Sequence, residues 1–369
     1  TQSMEHPIAF YTPDLSIGGI GKMRVHLMRE LVKRGYKVDL VIQDLSSPLL
    51  KRLPSDVFIH RVKTTHSLWS IPGLAQYLIS RRPVGVVTDR LRLNAGVYRT
   101  TVLTGKRPRL ILSFHNPISV KLASFNEARR RKYLGKLRAA LERNYRIVAV
   151  SNGVARDLME HADYPSEKIA VVHNPVIVPE MDTMADEPVD HPFYKEGIPV
   201  VVTAARMTEQ KDFDTLLKAF RGVRDQMECR LVILGKKGRY YSSIMDLIRN
   251  LRLETDVAML GFQLNPYKFI SKASVFVLSS RWEGFGNVLV EALSVGTPVV
   301  ATDCPVGPWE ILEGGRLGRL VPVGDVEEMK KAIIEAISSP LKMDILKQSV
   351  ARYKVEVSAD GYLKALGIA

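Results

Sequence analysis

Short β-branched runs alternate with amphipathic helical stretches along almost the whole chain, and this alternation limits the fold more than any other feature. The runs include KVDLVIQ, RLILSFH, IVAVS, IAVVHNP, IPVVVTAA, CRLVILG, SVFVLSS and TPVVATD. Strands that are apolar throughout and separated by helices belong to parallel sheets covered on both faces. At 369 residues the chain is too long for one ordinary core and fits two domains of about 150–200 residues. The best linker is the proline- and acid-rich stretch 175–199, PVIVPEMDTMADEPVDHPFYKEGIP, which lacks periodicity. The expectation is an α/β protein of two doubly wound domains, 1–180 and 181–345. A closing helical segment, 346–369, is expected to pack back on the first domain. Ligands of such sheets lie beyond the carboxyl ends of the strands, so residues that directly follow strands are the ones to examine.

Composition narrows the setting. The chain is 46% apolar and 25% charged, and no run of about 18 apolar residues could span a membrane. IAFYTPDLS reads as a strand entering a polar turn, not as a leader. Cys229 and Cys304 offer neither a disulfide framework nor zinc spacing, so a reducing, cytoplasmic setting is expected. Charge is unevenly placed. Residues 1–180 hold 29 Lys+Arg and 14 Asp+Glu, a surplus of +15, whereas the remainder holds 24 and 25. Such asymmetry points to an anionic partner surface for the N-terminal half. Two stretches concentrate it: 125–146, with eight basic residues, two acids and Leu134, Leu137 and Leu141 at helical spacing, and 81–109, with eight basic residues and one acid.

Two glycine-rich turns invite chemistry. PDLSIGGIGKMR, 13–24, half resembles a nucleotide-hydrolysing P-loop, but the first glycine of that motif would fall on Ser16 and its magnesium hydroxyl on Met23. Both requirements fail. In SSRWEGFGNVLVEALSVGTPVVATD, 279–303, a strand ends near Leu278, a glycine-broken turn follows, and a helix is expected from Asn287 to Val295. Gly284 and Gly286 let backbone approach a ligand, and amides at the helix start favour an anion. Glu283 in the turn and Glu291 in the helix flank that site, where carboxylates could bind hydroxyls on either side of a diphosphate. Taken singly, each would be a loop or helix-surface glutamate.

Together these segments resemble the retaining glycosyltransferases of the GT-B fold, family 4 (group 1). The glutamate, seven residues, glutamate spacing carries the resemblance, with AARMTEQKDFDTLLKAF (204–220), LVILG (231–235), SNGVARDL (151–158) and CPVGPWEIL (304–312). It implies two Rossmann-like domains facing each other across a cleft. By resemblance, Glu291 holds the ribose hydroxyls and Glu283 the donor sugar. The amides of Phe285, Gly286, Asn287, Val288 and Leu289 line sugar and diphosphate. Arg206 and Lys211 match the family's basic pair on the diphosphate, where fixed cations stabilise charge growing on the leaving group. Gly18 and Gly19 match the N-domain glycine loop, and His115, after LILSF, matches a histidine beside the reacting sugar. Phe262, in GFQLN, falls near the base.

The implied activity moves a hexose or N-acetylhexosamine, from UDP by preference or GDP, to a lipid-linked or lipopolysaccharide or polysaccharide precursor at the cytoplasmic membrane face. The implied enzyme is peripherally membrane-associated and needs no cofactor or metal. Asp212 and Asp214 spell D-x-D, a metal motif of the other glycosyltransferase fold, but they directly precede TLLKAF and better suit a helix N-terminus. KKGRYY, 236–241, departs from the family pattern after LVILG. Two other readings are a GT-B sugar-nucleotide epimerase, against which the Glu283/Glu291 pattern argues, and a nucleic-acid-binding protein, which would need interleaved aromatics or a recognition motif.

Overall fold

A computed structural model describes residues 5–16 and 18–368. The chain divides into two units, residues 1–176 with 353–369, and residues 177–352.

The first unit is built on seven parallel strands: β1 (Ile8–Thr12), β2 (Val38–Ile42), β3 (Phe58–Arg61), β4 (Gly85–Thr88), β5 (Arg109–Phe114), β6 (Arg146–Ala149) and β7 (Ile169–Val171). Their order is β3-β2-β1-β4-β5-β6-β7, so the direction of winding reverses between β1 and β4. The crossover helices are α1 (Gly19–Lys33), α2 (Ile71–Arg81), α3 (Leu91–Thr104), α4 (Ile118–Ala123), α5 (Glu127–Arg143) and α6 (Asn152–Ala162). Helix α1 begins at Gly19, because Gly18 is extended and serves as its N-cap. Gly21 has a packing reason: a Cβ there would stand 2.2 Å from the Ser16 carbonyl oxygen. One buried charge network pins α2 to the sheet. Asp39 of β2 accepts from both ends of the Arg81 fork at 2.8 and 2.9 Å and from Tyr77 Oη at 2.9 Å, which satisfies a carboxylate that burial would otherwise penalise.

The second unit carries six parallel strands: β8 (Val200–Ala204), β9 (Arg230–Leu234), β10 (Val257–Gly261), β11 (Val275–Leu278), β12 (Val299–Thr302) and β13 (Arg319–Val321), in the order β10-β9-β8-β11-β12-β13. Its helices are α7 (Met181–Asp186), α8 (Phe213–Gln226), α9 (Tyr241–Asn250), α10 (Tyr267–Ser271), α11 (Asn287–Ser294), α12 (Pro308–Ile311), α13 (Val326–Ser338) and α14 (Met343–Ser349). The stretch 175–199 is more ordered than its composition implies. Met181 and Ala185 bury one face of α7, while Asn265, Ser271 and Lys272 donate to the carbonyls of Met184 and Ala185.

The last helix, α15 (Val355–Leu366), belongs to the first unit. Ala359, Tyr362, Leu363 and Leu366 enter the core there with Ile8, Phe10 and Leu27. Small residues admit it: a Cβ on Gly85 would meet Leu366 Cδ2 at 2.3 Å, and one on Gly361 would meet Val172 at 2.7 Å.

Candidate active site

In the second unit the winding reverses between β8 and β11, the place where open parallel sheets receive ligands. The loops leaving these two strands carry Arg206, Lys211 and Glu283. Three hydrogen bonds stitch them together: Arg281 N to Gln210 O at 2.8 Å, Gln210 Nε2 to Trp282 O at 2.8 Å, and Ser279 Oγ to Lys211 O at 2.7 Å. The stitching brings the Lys211 ammonium onto Glu283 Oε1, which also accepts from Ser280 Oγ at 2.6 Å. Glu283 is only 7% exposed. A carboxylate so buried requires a cation and a donor, and it has both. Arg206 is exposed and makes no ion pair or side-chain hydrogen bond among the described residues.

Glycines set the backbone of this corner. Gly286, at φ +99°, is the N-cap of α11. Gly307, at φ +98°, lies where a Cβ would be 1.9 Å from the Phe285 carbonyl oxygen, and Gly235, at φ +146°, where one would be 1.9 Å from that of Ala205. The turn after β12 therefore backs the glycine loop, and the turn after β9 backs the Arg206 loop. Gly238, in the aberrant KKGRYY stretch, also has a steric reason, since its Cβ would fall 2.4 Å from Met207 O. Gly284 and Phe285 are buried, whereas Asn287 and Val288 are half-buried. The Leu289 amide already donates to Gly286 O at 2.9 Å, so this one of the five amides is taken within the turn. Glu291 lies on no helix surface: it is buried and accepts from Tyr267 Oη at 3.4 Å. Phe262 lies on the loop after β10, 49% exposed.

Asp212 is a helix cap. In the left-handed region at φ +44°, it accepts from Thr215 N and Thr215 Oγ1 at 3.4 and 2.8 Å, and Arg281 lies 3.5 Å from it. Asp214 is bound by Lys218 one turn on. Sequence reasoning missed the supporting serines and Gln210, and gave Cys304 no role beyond its place in a turn motif. That thiol is buried near Glu283 and Lys211, and its pKa is pushed up to about 12 by desolvation, then by the Glu283 charge. It is a packing residue, not a nucleophile.

In the first unit, Gly18 and Gly19 open α1 beyond β1, and His115 follows β5. Arg24 reaches His115, its Nη2 standing 3.5 Å from Nε2. The buried Arg24 also donates to Tyr362 Oη at 3.2 Å, and its guanidinium lies 5.5 Å from the Phe10 ring. A guanidinium only donates, so Nε2 is the accepting nitrogen and the ring proton sits on Nδ1. Desolvation, then the Arg24 charge, lowers the His115 pKa to about 3. Nδ1 is buried and has no partner among the described residues. His115 is thus a neutral imidazole with one uncommitted N–H. Arg24 was legible as an anomaly, a cation on the same helical face as Leu27, Met28 and Leu31.

Two family descriptions match this chain, Glycosyltransferase Family 4 over residues 17–178 and Glycosyl transferases group 1 over residues 189–353. The chain belongs to the group 1 glycosyltransferases of family 4 type. It is 34% identical over 171 residues to an uncharacterized glycosyltransferase of Methanocaldococcus jannaschii, covering 45% of this chain and 42% of that one. It is 30% identical over 183 residues to the N-acetylgalactosamine-N,N'-diacetylbacillosaminyl-diphospho-undecaprenol 4-alpha-N-acetylgalactosaminyltransferase of Campylobacter jejuni, covering 50% of this chain and 48% of that one. The match thus spans less than half the length of these two relatives. A glycosyltransferase structure from Rickettsia africae aligns over 98% of both chains with a TM-score of 0.82 at 17% identity. The Anabaena HepE structure in complex with UDP and glucose aligns over 99% of this chain and 100% of that one, with a TM-score of 0.78 at 18% identity. These likenesses, with the two parallel sheets, give the GT-B fold. Among the described residues no helix is long and apolar enough to cross a membrane.

Proposed function

We propose that this group 1 glycosyltransferase transfers a hexose or N-acetylhexosamine from a nucleotide-diphosphate sugar, UDP by preference, with retention of anomeric configuration. The acceptor is a lipid-linked or lipopolysaccharide or polysaccharide precursor at the cytoplasmic membrane face. The observation that carries the reading is the Lys211–Glu283 pair beside the unpaired Arg206 at the β8/β11 reversal. Arg206 and Lys211 receive the donor diphosphate, and no bound metal is required, because fixed cations stabilise the charge of the departing nucleotide. When the diphosphate draws Lys211, Glu283 is left to accept hydroxyls of the sugar. Glu291 holds the ribose and the amides before α11 line the diphosphate, while in the first unit the His115 Nδ1–H is the donor offered to a hydroxyl ligand. The relatives support the acceptor class, since one acts on a diphospho-undecaprenol carrier and another is a lipopolysaccharide core glycosyltransferase of Rhizobium meliloti. The N-terminal unit meets the membrane through the basic helix α5, whose Arg131, Lys132 and Arg138 are exposed.

A panel of UDP- and GDP-sugars offered in EDTA, scored by slow donor hydrolysis and thermal shift, tests the reading. One UDP-sugar should be cleaved, and NMR of the released sugar should show the donor's anomeric configuration first. Cleavage of none, or inversion at the anomeric carbon, would refute it.

A further inference from the structure

The first unit carries a cluster of cations that the donor reading does not use. An edge-to-face pair, with ring centroids 5.6 Å apart, packs Phe125 of the α4–α5 connection on Tyr133 of α5. A cation lies over each ring: Lys121 Nζ is 4.9 Å from the centre of Tyr133, and the Arg129 guanidinium 4.3 Å from that of Phe125. Aromatic faces hold such cations in place without neutralising them. Arg90, which opens α3 beyond β4, and Lys136, two turns along α5 from Arg129, complete the group. Their proximity shows in Lys121, whose pKa is lowered by desolvation and then by Arg129, Arg90 and Lys136.

None of the four cations has a carboxylate partner among the described residues. Glu127 pairs with Arg131 instead, and Asp157 accepts from the amides of Ile118 and Ser119 at the start of α4. Asp89, next to Arg90, makes no ion pair among the described residues, and its Oδ1 is buried without a partner. Four uncompensated charges from three elements repel one another in the free protein, and a polyanion placed among them relieves that repulsion. The cluster lies on the segments leaving β4 and β5, beside the unit's winding reversal and close in sequence to His115, where a ligand of such a sheet is expected. Two arginine forks suit the oxygens of a phosphate.

We infer that Lys121, Arg90, Arg129 and Lys136 form a binding site for a phosphate or diphosphate group carried by the acceptor. This rests on the transferase reading and deepens it, by giving the acceptor an ionised phosphate near the end that receives the sugar. The donor site supplies a second, separate place for a diphosphate, which makes the two readings separable.

Titration of the full chain with inorganic pyrophosphate should reveal two classes of site. Lys121→Gln with Arg129→Gln, both at exposed positions, should weaken one class roughly a hundredfold, at about tenfold per charge-assisted contact, and leave the other unchanged. Arg206→Ala should weaken only the second. A single class that Arg206→Ala weakens and the double variant does not would overturn the phosphate site while sparing the donor site. Loss of the double variant's binding to phosphatidylglycerol vesicles with an unaltered pyrophosphate isotherm would also overturn it, assigning these cations to a lipid surface. Loss of one class in the double variant with no effect of Arg206→Ala would uphold the phosphate site and count against the donor reading alone.

Discussion

Arg24 and His115 meet at 3.5 Å inside the first unit, a guanidinium facing the bare nitrogen of an imidazole. The contact fixes the tautomer, and burial of the ring, with the Arg24 charge as the lesser cause, keeps it neutral.

The folded pKa of His115, about 3, lies below the ordinary 6.5. Between those values the unfolded chain binds the extra proton and the folded chain does not, so this group's contribution to stability falls as pH drops below about 6.5 and levels off near 3. Imidazole NMR should show a neutral ring protonated on Nδ1 down to about pH 4. Arg24→Met should raise the pKa part of the way, since desolvation, the larger cause, remains. A His115 that titrates near 6.5 in the unaltered protein would contradict the geometry.

The pairing of Lys211 with Glu283 makes their substitutions non-additive. Lys211→Ala strands a buried carboxylate and should cost about 3 kcal/mol of stability, while Glu283→Gln costs less because the amide leaves no charge behind. Each should lower turnover at least tenfold, and the double variant should be more stable than the sum of the singles predicts. Chemical denaturation of the four proteins measures the coupling, and independent effects would mean that the pair does not persist in solution.

Glu291→Ala and Glu283→Ala should separate kinetically. Glu291, buried in α11, is assigned to the ribose and its loss should raise the donor Kd about tenfold or more, as for one charge-assisted hydrogen bond. Glu283, in the turn, is assigned to the sugar and its loss should fall mainly on turnover. Calorimetry with UDP alone distinguishes them: Glu283→Ala should bind UDP like the parent.

Much of this was legible because apolar strands, glycine turns and caps are local signals. The fold class, the Glu283 turn and the start of α11 at Asn287 follow from such signals, and so does the capping of α8 by Asp212. What escaped depended on distant partners. β4, a central strand, is only Gly85–Thr88, and its first residue is a glycine because Leu366, far along the chain, packs there. Helix α7 lay hidden in an acidic, proline-rich stretch because its small buried face is completed by α10. Taken alone, the leucines of α5 favour a core face, and only the basic charge around them points to a membrane. Leu137 is buried, and Leu134 and Leu141 are partly so, which turns that row toward the protein.

Activity should survive EDTA, with Asp212 mattering only for stability. Asp212→Ala removes a cap worth about 1 kcal/mol and places alanine at φ +44°, which adds about 1 kcal/mol of strain. Asp212→Asn tolerates that backbone and keeps the accepting oxygen, so it should recover most of the loss. Turnover abolished by EDTA and restored by manganese would instead make this aspartate a metal ligand.

The last expectation concerns the membrane. With the leucines of α5 turned inward, apolar insertion by this helix is not available, and attachment through it must be electrostatic. Arg131, Lys132 and Arg138 are exposed, and none belongs to the Lys121 cluster. Each cation near an anionic leaflet contributes about 1 kcal/mol, so replacing all three by serine should weaken vesicle binding roughly a hundredfold. The effect should be largest at low salt, because screening over about 10 Å at 0.1 M already weakens the unaltered protein. Donor hydrolysis and the pyrophosphate isotherm should be untouched. Sedimentation with phosphatidylglycerol vesicles that matches the parent across a salt series would place the membrane face elsewhere on the first unit, with the basic stretch 81–109 the next to test.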